Sequence, residues 1–310
     1  MNAKSIRQQF ADTMLEVGQQ DPNLVVLIGD ISHFILQPFA KACPGRFYNI
    51  GICEPTIISM AAGLAKTGFY PVVHTIAPFI IERGFEQIKL DFCYQRLAGN
   101  LITVGSVFDY SNLGCTHHCY DDFALMKSLP NTQIFYPASC DEFDILFKQS
   151  YNNSFLTLFR IPENQHEKII NPGMIEVGKA IKISEGKDLT LVALGPQLKN
   201  AVEADKILSK DGWGIEIIYV HTVLPLDIAT IRESVKKTKK VLIVEEHNRF
   251  GGTGYDIMNA VHDIENVQMS SIAIDSFVHD YGTYGEHCAN LGLSFEGILS
   301  TVYKMIGVNK

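Results

Sequence analysis

The stretch Tyr48-Asn49-Ile50-Gly51-Ile52-Cys53-Glu54-Pro55 joins a strand-like segment to a nearly all-apolar helix and places one carboxyl group at the junction. Pro55 is suited to the first turn of this helix, and Gly68 is suited to its end. Most side chains between them are apolar, which predicts a helix that is buried within its domain or against another subunit. The strand-then-helix order of this stretch recurs along the chain and decides the fold class.

Glu54 is the most informative residue of this stretch, because a carboxyl group at the mouth of a buried helix loses its hydration. Such a group either stays protonated or finds a strong partner, and both outcomes suit proton chemistry. In a simpler interpretation Glu54 only caps the helix, where an acidic side chain meets free N–H groups and the positive end of the helix dipole. We take Glu54 as the first catalytic candidate, with capping as the alternative.

Strand-like runs alternate with helical patterns along the whole chain. The predicted strands are residues 24–28, 72–75, 101–105, 133–136 and 156–159, followed by 189–194, 214–220, 241–245 and 269–274. This alternation is typical of parallel sheets that are covered by helices on both faces. A polar, proline-containing segment, residues 161–168, separates the two series. We therefore predict two doubly wound α/β domains, comprising residues 1–170 and 171–310.

The composition limits the functional class. The 310 residues include 26 Lys and Arg against 34 Asp and Glu, a net charge of -8, which argues against nucleic acid or an anionic membrane as the main partner. No run of about eighteen apolar residues and no signal-peptide core is present, so we expect a soluble, cytoplasmic protein. Seven cysteines at irregular spacing indicate reduced thiols rather than a disulfide framework.

Two further motifs have competing interpretations. The segment Cys115-Thr116-His117-His118-Cys119 contains potential metal ligands, but ligands so close together do not easily enclose a tetrahedral ion, and we predict no metal site there. The pair Gly251-Gly252 follows a predicted strand and precedes a helix. It offers either backbone N–H groups to an anion or a tight turn, and we favour the turn.

Five segments, in order along the chain, resemble the transketolase family. They are Gly51-Ile52-Cys53-Glu54, Ala61-Ala62-Gly63-Leu64-Ala65, Gly84-Phe85-Glu86-Gln87-Ile88, Thr116-His117-His118, and Glu245-Glu246-His247 with Gly251-Gly252. The resemblance extends over nearly the whole chain, but only to the later part of a full transketolase, namely its pyrimidine-binding and C-terminal domains. It implies that the chain is the second subunit of a split transketolase.

The resemblance also implies a cofactor, thiamine diphosphate, whose thiazolium ring supplies carbanion chemistry. Glu54 matches the glutamate that hydrogen-bonds the aminopyrimidine and favours its imino tautomer. Phe79 is the expected stacking partner of this ring, with Phe85 in reserve, because the first aromatic position of the family segment is Ile76 here. The remaining cofactor-binding residues expected from the resemblance are Asp30 and Ile52.

Several residues are expected to contact the substrate. His117 matches the family histidine that faces the reacting substrate, and His118 replaces the usual glutamine after it; a histidine pair in a loop after a strand is suited to proton transfer. The resemblance places Arg7 and Arg160 at phosphate-binding positions, where a guanidinium grips phosphate with two parallel hydrogen bonds. The alternative for each arginine is an ordinary ion pair. Asp109, in a shortened loop, completes the expected substrate-binding residues.

The family's diphosphate and Mg2+ are held by a Gly-Asp-Gly segment and a downstream asparagine, which this chain does not contain. A hard divalent cation needs several oxygen ligands, often shared with diphosphate, so we expect no metal ligand in this chain. The resemblance implies an N-terminal partner subunit, a heterotetramer with two copies of each subunit, and cofactors bound between chains. We also expect self-association through the apolar helix after Glu54.

The expected reaction is transfer of a two-carbon ketol unit between sugars. The loop at residues 108–115 is shorter than in the family and lacks its Asp-Gly-Pro, and the segment after Asp30 lacks the usual serine, so phosphorylated and unphosphorylated sugars both stay open. One alternative is a thiamine-dependent carboligase of the 1-deoxyxylulose-5-phosphate synthase or 2-oxoacid dehydrogenase beta-subunit type. Another is a non-catalytic partner subunit, against which the costly buried Glu54 argues.

Overall fold

A computed structural model describes residues 4–166 and 170–308 and contains two sheets flanked by helices. The strands are β1 (Leu24–Ile28), β2 (Phe47–Asn49), β3 (Tyr70–Ile76), β4 (Gly99–Val104), β5 (Thr132–Phe135), β6 (Leu156–Ile161), β7 (Ile181–Lys182), β8 (Leu189–Leu194), β9 (Ile215–Val220), β10 (Thr222–Leu224), β11 (Lys240–Asn248) and β12 (Gln268–Ile274). The helices are α1 (Ile6–Gln20), α2 (Gln37–Ala42), α3 (Glu54–Lys66), α4 (Ala77–Ile81), α5 (Phe85–Gln87), α6 (Asp122–Lys127), α7 (Cys140–Ser150), α8 (Gln197–Lys210), α9 (Ile228–Thr238), α10 (Thr253–Val261), α11 (Tyr284–Asn290) and α12 (Phe295–Ile306).

The first sheet has seven strands in the order β10-β5-β6-β4-β3-β1-β2. Its strands pair in parallel except β10, which is antiparallel to β5. Strands β1, β4, β5 and β6 are buried along their whole length, because helices cover both faces. This explains why the predicted strands are continuous apolar runs, and it confirms the predicted parallel α/β class.

The second sheet is smaller, with five strands in the order β12-β11-β8-β9-β7. All pair in parallel except β7, which is antiparallel to β9. Strands β8 and β9 are fully buried. The second predicted series of strands is therefore also confirmed as a separate, smaller α/β unit.

One strand crosses the expected division of the chain. β10 lies in the second half of the sequence but extends the first sheet by pairing with β5. The predicted boundary at residue 170 adjoins residues 167–169, which lie outside the described residues. The division into residues 1–170 and 171–310 therefore stays a prediction, and the two units share an edge of one sheet.

Side-chain caps fix where several helices begin. Ser5, Ser139 and Ser294 each accept a hydrogen bond from a backbone N–H in the first turn of α1, α7 and α12, as short hydroxyl side chains do at helix starts. Thr283 and Glu286 form a reciprocal capping box at α11. Among the helices that the structure describes, none combines the length and apolar character needed to cross a bilayer.

Helix α3, which begins at Glu54, has one buried and one exposed face. Ile57, Ile58, Ala61 and Ala62 are buried against the first sheet, whereas Thr56, Ser59 and Met60 are exposed, the Met60 side chain to 40%. The prediction that α3 is buried on all sides within its domain is therefore wrong for the chain alone. The exposed face can still pack against another subunit, which was the alternative given in that prediction.

Candidate active site

The site residues expected from the sequence follow the carboxyl ends of neighbouring parallel strands. Asp30 follows β1, Glu54 follows β2, Phe79 follows β3, and His117 lies beyond β4. The carboxyl ends of parallel strands meet at one edge of a sheet, where ligands bind in open α/β folds. The topology therefore directs these four residues to the same edge.

Glu54 is the first residue of α3, and its side chain is 2% exposed. Its Oε2 accepts a hydrogen bond from Nη1 of Arg83 at 2.9 Å. The structure thus provides the strong partner that a buried carboxylate requires. The other oxygen, Oε1, is buried and has no hydrogen-bond partner among the described residues. A desolvated acceptor without a donor is costly, so Oε1 is suited to accept a hydrogen bond from a ligand.

Phe79, on α4, connects this ion pair to His117. The Cζ atom of Arg83 lies 4.4 Å from the centroid of the Phe79 ring, within range of a cation–π interaction. The His117 ring lies 5.2 Å from the Phe79 ring at an angle of 70°. Glu54, Arg83, Phe79 and His117 therefore form one continuous row of contacts, which brings together three of the predicted site residues.

His117 ends a short 3-10 turn, Cys115–His117, and is half-buried. Its Nδ1 lies 3.0 Å from Oγ1 of Thr116. Burial lowers the pKa of His117 below its ordinary value of 6.5, which favours the neutral imidazole near neutral pH. A neutral imidazole beside an open site can accept a proton from a bound hydroxyl group.

His118 does not share this surface, although it is the next residue. Its side chain is 1% exposed, and its Nδ1 lies 2.8 Å from the hydroxyl of Tyr120. Burial, with smaller contributions from the charges of His287 and His117, lowers its pKa to about 4. His118 therefore lies in the interior beside His287 of α11, away from the row of contacts, with its Nε2 buried and without a hydrogen-bond partner among the described residues, and its catalytic role stays a prediction.

Arg160 is also placed differently from the sequence-based prediction. Its side chain is completely buried at the end of β6, with Nε 3.0 Å from Oδ2 of Asp122. Nη1 donates to the carbonyl oxygen of Glu246 at 2.8 Å, and Nη2 donates to that of Cys119 at 3.0 Å. The predicted phosphate-binding role is therefore corrected. The alternative, an ion pair, is present, but it is buried rather than exposed.

Arg7 and Asp30 line a cavity of about 590 Å³ beside the loop that follows β1. Nε of Arg7 donates to Oγ of Ser32 at 2.7 Å, and Ser32 Oγ lies 2.8 Å from Nε2 of the buried His74. Asp30 and Ser32 both have positive φ, at 61° and 62°, a strained conformation that in non-glycine residues is concentrated at binding sites. None of the residues that line this cavity belongs to the row of contacts that begins at Glu54.

The remaining predicted residues lie outside the row of contacts. Asp109 accepts hydrogen bonds from the backbone N–H of Glu163 and from Nδ2 of Asn164, so its oxygens hold together the loops after β4 and β6. Phe85 is half-buried against the core. Ile52 is 74% exposed and close to Glu54 in sequence. Of the two phenylalanines, Phe79 is the one in contact with His117.

The pair Gly251-Gly252 before α10 forms a turn, and a carboxylate of the chain itself accepts hydrogen bonds from the N–H groups that follow it. Oε2 of Glu245 accepts from the N–H of Thr253 at 2.7 Å, and Oε1 accepts from that of Gly254 at 2.8 Å. A Cβ atom at Gly252 would lie 2.7 Å from Glu245 Oε1, so glycine is required there. The predicted tight turn is confirmed, and the chain's own carboxylate occupies the N–H groups that an anion would need.

Sequence reasoning missed Arg83, which contacts both Glu54 and Phe79. No periodic signal in the sequence indicated it, because Arg83 lies in the turn after α4 rather than on a helix. Within residues 4–166 and 170–308, no group of three or more His, Cys, Asp or Glu side chains is placed to hold a metal ion. The seven cysteines, all of which are described, are free.

Known protein domains match the two units of the chain in the same order. Residues 2–167 match the transketolase pyrimidine-binding domain, and residues 178–296 match the transketolase C-terminal domain. The chain is 30% identical over 311 residues to one of the subunits of the apulose-4-phosphate transketolase of Phocaeicola vulgatus, covering 98% of both chains. It is 27% identical over 309 residues to 1-deoxy-D-xylulose-5-phosphate synthase of Halothermothrix orenii, covering 96% of this chain but 48% of that protein.

A solved structure described as a split-gene transketolase in an inactive beta4 tetramer has the same fold. It superposes with a TM-score of 0.88 at 27% sequence identity, with 100% of both chains covered. The two matched domains, the relatives and this structure agree with the two sheets described above. The chain therefore belongs to the transketolase family, whose members depend on thiamine diphosphate.

Proposed function

We propose that the chain is one subunit of a split, thiamine diphosphate-dependent transketolase that transfers a two-carbon ketol unit between sugars. The observation that carries this proposal is the buried Glu54, whose Oε1 has no hydrogen-bond partner among the described residues, next to the row formed by Arg83, Phe79 and His117. A non-catalytic chain would gain stability by replacing such a carboxylate. Its presence therefore supports an active role.

The residues present fit the pyrimidine end of the proposed cofactor. Glu54 Oε1 has no partner among the described residues and can accept from a ring N–H group, and the half-buried Phe79 ring, which has Arg83 over one face, is the candidate for stacking with an aromatic ring. Thiamine diphosphate, when bound, supplies a thiazolium carbon that reacts as a nucleophile. In this proposal Glu54 exchanges a proton with the pyrimidine, and His117 exchanges one with an oxygen of the substrate.

The diphosphate and Mg2+ need a partner in this proposal. We place both groups on an N-terminal transketolase subunit, in a heterotetramer with two copies of each subunit. The lack of a Gly-Asp-Gly segment in this chain supports this arrangement, as does the related split-gene chain, whose beta4 tetramer is described as inactive. The exposed face of α3 and the exposed Ile52 side chain are the proposed contact region.

The substrate proposal rests on the cavity beside Arg7. A half-buried guanidinium in a cavity of about 590 Å³ suits a phosphorylated sugar, and the P. vulgatus relative is named for a sugar phosphate. The similarity to 1-deoxy-D-xylulose-5-phosphate synthase favours a thiamine-dependent carboligase as the second candidate function. Turnover with a ketose donor and with a 2-oxoacid donor separates the two candidates.

Calorimetry tests the proposal directly. Thiamine diphosphate with Mg2+ is titrated into the chain alone, and then into its mixture with an N-terminal transketolase subunit encoded nearby. The proposal predicts tight binding only in the mixture. Tight binding to the chain alone would show that it has its own diphosphate site, whereas no binding in either sample would favour a non-catalytic partner.

A further inference from the structure

We propose that Arg83 is a positioning residue that orients Glu54 and Phe79 toward the cofactor's pyrimidine ring. This assignment rests on the proposed function. The Arg83 side chain is 47% exposed, yet its Nη1 lies 2.9 Å from Glu54 Oε2 and its Cζ lies 4.4 Å from the Phe79 ring centroid. One guanidinium therefore contacts both the carboxylate and the aromatic ring that would hold the pyrimidine.

The ion pair decides which oxygen of Glu54 faces the ligand. Arg83 engages Oε2, while Oε1 stays buried without a partner among the described residues. A carboxylate held at one oxygen loses rotational freedom before the ligand arrives, and preorganised groups bind more tightly because this entropy is already lost. Arg83 thus leaves Oε1 as the acceptor for a ring N–H donor.

The backbone fixes where Arg83 sits. Gly84 follows it, and a Cβ atom there would lie 2.1 Å from Cδ1 of Ile58 on α3 and 2.7 Å from the carbonyl oxygen of Ile80. Only glycine permits so close an approach of the segment after α4 to α3. Because α3 begins at Glu54, this packing holds Arg83 at a set distance from Glu54.

The geometry requires arginine rather than any cation. A planar guanidinium can lie flat on the Phe79 ring while an N–H group in its plane donates to a carboxylate. A lysine ammonium is a compact charge with a strong hydration shell, so it can pair with Glu54 but cannot also cover the ring. Arg83→Lys should therefore retain part of the function, and Arg83→Gln should lose more.

If Arg83 competed with the cofactor, its removal would change the affinity for the cofactor in the opposite direction. If Arg83 instead occupied Glu54 in competition with the cofactor, its removal would free the carboxylate and strengthen cofactor binding. In the positioning role, removal weakens binding, because Glu54 becomes a buried carboxylate without its partner. The sign of the change in affinity therefore separates a positioning group from a competing one.

Infrared spectroscopy of the full chain alone tests the contact without cofactor or partner. The infrared spectrum of wild type minus that of Glu54→Gln isolates the carboxyl bands of Glu54. Arg83→Gln is expected to shift these bands, and Arg83→Lys to shift them less. Arg232→Gln is the matched control, because Arg232, on α9, pairs with Asp263 and its replacement should leave the Glu54 bands unchanged. Identical Glu54 bands in wild type and Arg83→Gln would overturn the proposal.

Calorimetry of the assembled enzyme tests the consequence. Arg83→Gln should raise the dissociation constant of thiamine diphosphate with Mg2+ by about tenfold, Arg83→Lys by less, and Arg232→Gln not at all. Unchanged or tighter binding in Arg83→Gln overturns the positioning role alone. A wild-type assembly that binds no cofactor overturns the proposed function and this inference with it. If Arg83→Gln does not fold, as judged by circular dichroism, Arg83→Lys provides the same comparison.

Discussion

Nε of Arg160 lies 3.0 Å from Oδ2 of Asp122, and both side chains are completely buried. The guanidinium also lies over the Phe123 ring, with Cζ 4.6 Å from the ring centroid, and it donates to the carbonyl oxygen of Glu246 in β11. Because β11 belongs to the second sheet, this hydrogen bond of Arg160 joins the two α/β units. It is a structural junction rather than a ligand site.

Breaking this junction should destabilise the chain strongly. In Arg160→Met the carboxylate of Asp122 stays buried without its cation, which costs about 3–5 kcal/mol in comparable buried pairs. The measurement is urea unfolding followed by circular dichroism. The double variant Arg160→Met/Asp122→Leu should recover much of the loss, because it removes both charges. An unfolding free energy equal to that of wild type in the single variant would contradict this prediction.

Replacing Glu54 should abolish turnover while leaving the fold intact. Glu54→Gln keeps the side-chain shape but cannot exchange a proton, and loss of general acid–base chemistry lowers rates by about 10² to 10⁴-fold. Ketol transfer by the assembled enzyme is measured alongside thermal unfolding of the chain. Wild-type turnover in this variant would rule out the catalytic assignment, whereas loss of folding would point to a structural role.

The positions of the strands could be predicted from the sequence because a strand buried on both faces has a continuous apolar run. The predicted strand at residues 24–28 coincides with β1. The strands that were missed, β7 and β10, have two and three residues, too few to show a pattern, and the three-residue β2 was recognised only as a strand-like segment before Glu54.

The roles of individual side chains were harder to predict. Glu54 was recognised because its charge contrasts with its apolar surroundings. Arg160 was misassigned because the residues that cover it, including Glu246, are distant in sequence. The burial of His118 could not be predicted for the same reason, since its neighbour His287 lies on α11. Local sequence shows that a polar group follows a strand, but not which distant segment covers it.

The stability of the chain should fall in mild acid, and His118 should contribute to the change. Burial lowers its pKa from 6.5 to about 4, so the unfolded chain takes up this proton at a higher pH than the folded chain. Its contribution is therefore complete above about pH 6.5 and is lost as the pH falls toward 4, with a slope of at most about 1.4 kcal/mol per pH unit.

Urea unfolding between pH 7 and pH 5 checks this contribution. His118→Gln, which has a side chain that does not titrate, should show a flatter dependence on pH than wild type. Other buried histidines, such as His74 and His247, whose pKa values are each lowered to about 3, keep the remaining slope. The same slope in the variant and in wild type would show that His118 is not held neutral by the fold.

In the chain alone, without the N-terminal subunit proposed to cover it, the exposed face of α3 should mediate self-association. Met60 is a large apolar side chain that is 40% exposed, at the border between the buried residues of α3 and its exposed face. A charge at this position would be desolvated in such a contact without compensation, so Met60→Glu should shift the chain toward monomer in analytical ultracentrifugation. Lys210→Glu, at the last residue of α8, changes a charge elsewhere and should leave the association state unchanged. Equal association of Met60→Glu and wild type would place the contact on another surface.

Arg7 should determine whether the enzyme prefers phosphorylated sugars, because it lines the cavity beside β1 and Arg160 is not accessible. In the assembled enzyme, Arg7→Gln should raise the KM for a phosphorylated sugar by about tenfold to a hundredfold, since charge-assisted hydrogen bonds to phosphate contribute about 1.5–3 kcal/mol each. The KM for the same sugar without phosphate should change little. Steady-state kinetics with both sugars, using Arg232→Gln as the control, separates charge recognition from a general loss of activity. Equal effects on both sugars would mean that Arg7 supports the strained loop at Asp30 and Ser32 through its hydrogen bond to Ser32, and that the cavity accepts unphosphorylated sugars equally well.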